Sequence, residues 1–232
     1  MEIMKKFTIF KQGVLEELPL QLGVFPFGII YGIMAIESGL TPIQAFLMSS
    51  IIFGGASQIA FVQLISSATP LGVVVTTVSA INSRHFLYSI SMMEYLKNLS
   101  LKWRIVLSYL LTDEAYAVSI RRFINEPSTS FLHFHLLGTG ITLFLSWQIS
   151  TLIGVLVGGD LPQFLDLQFI IPLTFIAIIV PMIKSISTFF VVIASAFSGL
   201  ILKSLDINFW IVISGMIGVV IGLISSKLDK KR

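Results

Sequence analysis

Four ionisable residues stand inside apolar sequence where each must have a reason to be: Arg84 and His85 in Asn82-Ser83-Arg84-His85, and Asp113 and Glu114 in Leu111-Thr112-Asp113-Glu114. A charged side chain near the centre of a bilayer helix costs about 2.5–3.5 kcal/mol on insertion scales. Such groups face a protein interior or a wet cavity, find partners there, and mark the path of a solute or proton. A guanidinium grips a carboxylate with two parallel hydrogen bonds, and a carboxylate holds an ammonium. Together they suit a zwitterion such as an amino acid. Histidine is the side chain that titrates near neutral pH, so His85 is a candidate carrier of a coupling proton, as is a desolvated carboxylate.

Spacing narrows the roles. Asp113 and Glu114 are adjacent, hence about 100° apart on a helix, so only one of them faces Arg84 and the sequence leaves open which. On a continuous helix Asn82 and His85 share one face, and Arg84 and Tyr88 share another. A third polar patch, Gly54-Gly55-Ala56-Ser57-Gln58, lies in an apolar run. Glycine loosens the backbone there, and a helix restarting at this point offers its N-terminal amides to a carboxylate. Close packing of small residues is the competing reading of the same glycines. The competing reading of the charges is an ion pair that only fixes packing. Against it, four such groups unpaired in lipid would cost of order 10 kcal/mol, and buried ion pairs are weak devices for stability alone. The candidate solute-binding and coupling residues are therefore Gly54, Gly55, Ser57, Gln58, Asn82, Arg84, His85, Asp113 and Glu114, with no metal site and no cofactor expected.

These residues must be positioned by membrane helices. Of 232 residues, 55% are hydrophobic and only 12% charged, where soluble domains carry about 25% charged residues. Mean hydropathy is +0.94. The chain reads as an all-α integral membrane protein, a polytopic bundle of about eight spanning helices with seven as the alternative. The apolar stretches are 19–37, 42–66, 69–93, 104–122, 134–158, 166–184, 186–203 and 207–226, each near the roughly 20 residues that a span needs. Some are broken: Phe25-Pro26-Phe27-Gly28 marks the first, the glycine patch the second, Pro172 and Pro181 the sixth. Gly28, Gly32, Gly215, Gly218 and Gly222 read as packing glycines. No linker or soluble domain fits between the stretches, so 1–232 is one transmembrane domain, with 1–17 an amphipathic cytoplasmic lead-in and 227–232 a basic tail.

Both termini face the cytoplasm if basic residues collect there. That places Lys5, Lys6, Lys11, Arg121, Arg122, Lys184, Lys227, Lys230, Lys231 and Arg232 inside, and Lys97, Lys102, Arg104 and Lys203 outside. The cluster 97–104 is the exception, and it admits a second or third segment that enters and returns. The net charge of +3 belongs to these helix ends rather than to nucleic acid. His133 and His135 read as interfacial, not as a metal pair. Trp103, Trp147 and Trp210 read as interface anchors or packing, with Trp147-Gln148 beside a cavity. Asp160 and Asp166 read as an external turn. No cysteine is present. Phosphate-binding loops, His-Glu-x-x-His and serine-nucleophile settings are lacking, so neither an ATP-driven pump nor an enzyme is expected.

The polar motifs resemble those of the AzlC family, the larger subunit of bacterial branched-chain amino acid exporters. The resemblance rests on Pro19-Leu-Gln-Leu-Gly-Val-Phe-Pro-Phe-Gly28, Gly54-Gly-Ala-Ser-Gln58, Asn82-Ser-Arg-His-Phe-Leu-Tyr88, Leu111-Thr-Asp-Glu-Ala-Tyr116 and Pro172-Leu-Thr-Phe-Ile-Ala-Ile-Ile-Val-Pro181. Ser83 stands where many relatives carry leucine. The resemblance implies export of branched-chain or similar amino acids across the bacterial cytoplasmic membrane without ATP, together with a small AzlD-type membrane subunit. A scaffold or regulatory subunit, or an ion channel, is the alternative for a polar core of this kind.

Overall fold

A computed structural model of the chain describes residues 2–126, 131–158, 180, 183 and 185–229. All regular structure among them is helical. Asp160, Asp166, Pro172, Pro181 and Lys184, and with them the proposed sixth span, lie outside the described residues. The described residues group into two compact units, 2–62 with 82–158 and 63–81 with 185–229.

In the first unit, α1 (Glu2–Glu17) runs through a 3-10 turn at Leu18–Leu20 into α2 (Gln21–Glu37), and α9 (His133–Gly158) lies along both. Glycine makes this possible. A Cβ on Gly13 would collide with the His135 carbonyl, one on Gly28 with the Ser150 hydroxyl, and one on Gly154 with the Ile29 carbonyl. A Cβ on Gly32 would lie 2.5 Å from the Thr151 carbonyl oxygen, and one on Gly158 would lie 3.1 Å from Ile33 Cα. Backbones in such contact gain dispersion energy that bulkier residues would forbid, the usual basis of helix association in lipid. The second unit packs α10 (Ile186–Ser204) against α11 (Trp210–Asp229) by the same means, with Gly218 on Ser195 and Gly222 on Val191. No described residue lies within 4 Å of a Cβ built on Gly215.

Along the α1–α2/α9 seam the partner numbers rise together at a constant offset, Gly13 with His135, Gly28 with Ser150, Gly32 with Gly154, Ile36 with Gly158. The helices are therefore parallel. Parallel helices require an odd number of membrane crossings between them.

Each of the segments 42–66, 69–93 and 104–122 is split. The second is α3 (Pro42–Ile52) and α4 (Gly55–Ser66), the third α5 (Leu71–Asn82) and α6 (Arg84–Leu96), the fourth α7 (Leu101–Leu110) and α8 (Asp113–Asn125). A helix of 11 residues rises about 16 Å, roughly half of a 30 Å hydrocarbon core, so such breaks place helix ends at depth. Three continuous helical stretches, 2–37, 133–158 and 186–204, are long and apolar enough to cross a membrane.

One expectation is corrected. Pro26 does not break the first span: α2 continues through it, and the irregular turn falls earlier, at Pro19. The helix tolerates Pro26 because the tight α2–α9 seam holds the segment on either side of it. The interruption at Ser83 is a single residue that keeps helical dihedrals, φ −58° and ψ −23°.

Candidate functional site

All three breaks belong to the first unit. At the first, Phe53 takes φ 39° and ψ 56°, a left-handed conformation that costs a bulky residue of order 1–3 kcal/mol. Its buried ring is pinned edge-on to Phe144, with centroids 5.1 Å apart. Gln58, one turn into α4, turns its side chain back: Oε1 accepts from the Gly54 amide at 3.3 Å and from Trp147 Nε1 at 3.1 Å. Ser57 Oγ donates to the Gly54 carbonyl at 2.7 Å. Gly55 is kept small by Trp147 and Phe27, whose ring carbons would lie 2.7 and 2.9 Å from its Cβ. Trp147 stacks on Tyr31, and Tyr31 donates to the Ala45 carbonyl at 2.8 Å. Beside it Gln148 Nε2 donates to the Ser49 carbonyl at 3.3 Å and Ser50 Oγ to Gln148 Oε1 at 2.9 Å. Trp147 and Gln148 are thus built into the break rather than anchored at an interface.

The second break meets the first, since a Cβ on Gly54 would stand 3.2 Å from Asn82 Oδ1. It meets the third through Arg84. Arg84 Nη2 pairs with Asp113 Oδ2 at 2.9 Å, and Tyr88 donates to Asp113 Oδ1 at 2.6 Å. The shared face expected for Arg84 and Tyr88 is therefore used, on one carboxylate. Tyr88 stacks on Tyr116, which bonds Ser91 Oγ at 2.9 Å, and the His85 ring lies 5.9 Å from that of Tyr88.

Electrostatics are asymmetric. Asp113 and Glu114 occupy the first turn of α8, where the helix dipole favours anions. Arg84 follows directly on the helical Ser83, and Asp113 is the anion that compensates its charge. The pair is neither sealed nor loose, with side chains 32% and 35% exposed. Around the breaks, buried polar atoms stand without hydrogen-bond partners among the described residues: Gln58 Nε2, Asn82 Oδ1, Arg84 Nε, His85 Nε2 and Thr112 Oγ1. Unmade bonds of this kind cost about 1–3 kcal/mol each unless a ligand or water completes them. Donors for a carboxylate and acceptors for an ammonium are both represented. Among the described residues no cluster of histidine and carboxylates has metal-binding geometry.

Glu114 makes no ion pair with Arg84, whose partner is Asp113. Glu17 at the end of α1, a residue that sequence reading left in the lead-in, is fully buried. His135 is likewise not interfacial: it is fully buried, 3.0 Å from Glu16 Oε2. His133 packs instead against Trp103. Tyr31, Glu17 and Thr112 join the polar interior without having been singled out. A polar residue in or next to an apolar run is the only mark they carry.

The class is thus a multi-pass helical membrane protein whose polar centre is assembled from interrupted helices. Residues 19–161, more than half of the chain, match the family model described as AzlC protein. The chain belongs to the AzlC family. It is 29% identical to an uncharacterized membrane protein of Archaeoglobus fulgidus over 79% of this chain and 80% of that one. It is 26% identical to the inner membrane protein YgaZ of Escherichia coli, over 66% of this chain and 63% of the relative. Identity is 25% to the branched-chain amino acid transport protein AzlC of Bacillus subtilis, over 66% and 59% respectively. No solved structure matches the chain.

Proposed function

We propose that this chain is a secondary exporter of amino acids, branched-chain ones first, acting as one transmembrane domain in the bacterial cytoplasmic membrane with a small AzlD-type partner. The observation that carries the reading is the set of unpartnered buried donors and acceptors gathered where three helices break around Arg84 and Asp113. Arg84, with the N-terminal amides near Gly54 and Gly55, takes the solute carboxylate. Asp113, released from Arg84, takes the ammonium, while Gln58 and Asn82 complete the polar contacts, and Ser57 holds the break. His85 lies beside Tyr88 as a further proton-exchanging group. The Bacillus subtilis relative, described as a branched-chain amino acid transport protein, supports the solute class. The outward direction and the partner follow the family that the motifs resemble.

The test is counterflow of labelled leucine in vesicles holding the chain with its partner. Arg84→Ala and Asp113→Asn are each expected to lower exchange by about tenfold or more, equivalent to about 1.4 kcal/mol. Exchange at the wild-type rate in both variants would remove the site. A charge swap, Arg84→Asp with Asp113→Arg, separates a solute site, which fails, from packing glue, which survives.

A further inference from the structure

Glu16 and Glu17 are adjacent and could hardly be more different. Glu16 is fully engaged: Oε1 takes Arg122 Nη1 at 2.9 Å and Oε2 meets His135 Nε2 at 3.0 Å. Arg122 also reaches Glu126 at 3.4 Å, and His135 Nδ1 lies 3.4 Å from Ser119 Oγ. Glu17 is 0% exposed, and only one of its oxygens is satisfied. Gln21 Nε2 donates to Oε1 at 3.0 Å, one turn along the chain. Among the described residues Oε2 has no partner, and neither does the buried Gln21 Oε1, so two buried acceptors lack a hydrogen donor.

Among the described residues no cation resolves this. On α8, Glu114 is another carboxylate, and Asp113 beside it is committed to Arg84. Arg122 of α8 and His135 of α9 are committed to Glu16. A buried carboxylate with no cation beside it does not stay ionised, and a missing hydrogen on an orphaned acceptor is what a bound proton supplies. Resting on the transport reading above, we propose that Glu17 binds a proton and is the coupling site that exchanges protons for exported amino acid. Loading forms an O–H bond on Glu17 Oε2 as a hydronium ion gives up its proton and departs as water; release to water on the other side reverses it. The proton site thus contains neither Arg84 nor Asp113.

Two measurements separate this from the transport reading. Infrared difference spectroscopy of the purified full-length protein in lipid should show a protonated carboxyl band near neutral pH that is lost in Glu17→Gln and kept in Glu16→Gln. In vesicles holding the chain with its partner, Glu17→Gln should retain leucine exchange, which needs no net proton movement, and lose export driven by a pH gradient. A band unchanged in Glu17→Gln, gradient-driven export at the wild-type rate, or a sodium gradient that replaces the proton gradient would overturn the proposal. If the wild type performs no exchange at all, the transport reading fails, and the infrared band alone then decides whether Glu17 holds a proton.

Discussion

The seam between α2 and α9 and the three broken helices beside it use small residues in opposite ways. Along the seam, Gly28, Gly32, Gly154 and Gly158 let two unbroken backbones touch, and the gain is packing. At the first break, Gly54 and Gly55 let a helix stop and restart, and the gain is exposed backbone and side-chain polarity at depth. The seam is continuous; the breaks hold strain at Phe53 and orphaned polar atoms. The contrast teaches that one helix pair supplies rigidity so that its neighbours can remain incomplete. Trp147 belongs to both, since it lies on α9 yet closes the Gln58 turn.

The largest effect should come from spoiling the seam. Gly154→Leu forces a side chain into the Ile29 carbonyl, and should cost about 3 kcal/mol or more, read as a lower melting temperature or loss of monodisperse protein in detergent. A fully stable variant would break the comparison. Removing the Tyr88 hydroxyl with Tyr88→Phe deletes one bond to Asp113, and should lower leucine exchange by about tenfold while shifting stability by about 1 kcal/mol. Should stability fall as far as in the seam variant, the breaks would be structural after all. The smallest effect belongs to Gly215→Ala, where no described residue lies within 4 Å of the new methyl group. Stability there should stay level or rise by less than about 1 kcal/mol, measured by the same melting experiment.

Helix starts were legible where a local signal marks them. The glycine patch was legible as a break for the same reason. The breaks at Ser83 and at Leu111-Thr112 were not, because neither contains glycine or proline. Ser83 keeps helical dihedrals, and Leu111 leaves them at ψ 79° with no residue type that announces it. The choice of Asp113 over Glu114 as partner of Arg84 was equally invisible, since adjacency says only that one of the two faces it. Glu17 was misplaced because charge near the amino end reads as solvated, whereas the offset of α1 along α9 carries it inside. What the residue types did convey correctly was the pairing of Arg84 with a carboxylate one segment away.

The parallel run of α1 and α2 with α9 carries a further meaning for geography. Lys6 Nζ stands 4.7 Å over the Phe131 ring, and Arg122 reaches Glu16, so the amino end and the connection leading into α9 emerge together. Whatever compartment receives the first lysines also receives the tip between α8 and α9. The far ends of the same helices, at Glu37 and Gly158, open on the opposite shore.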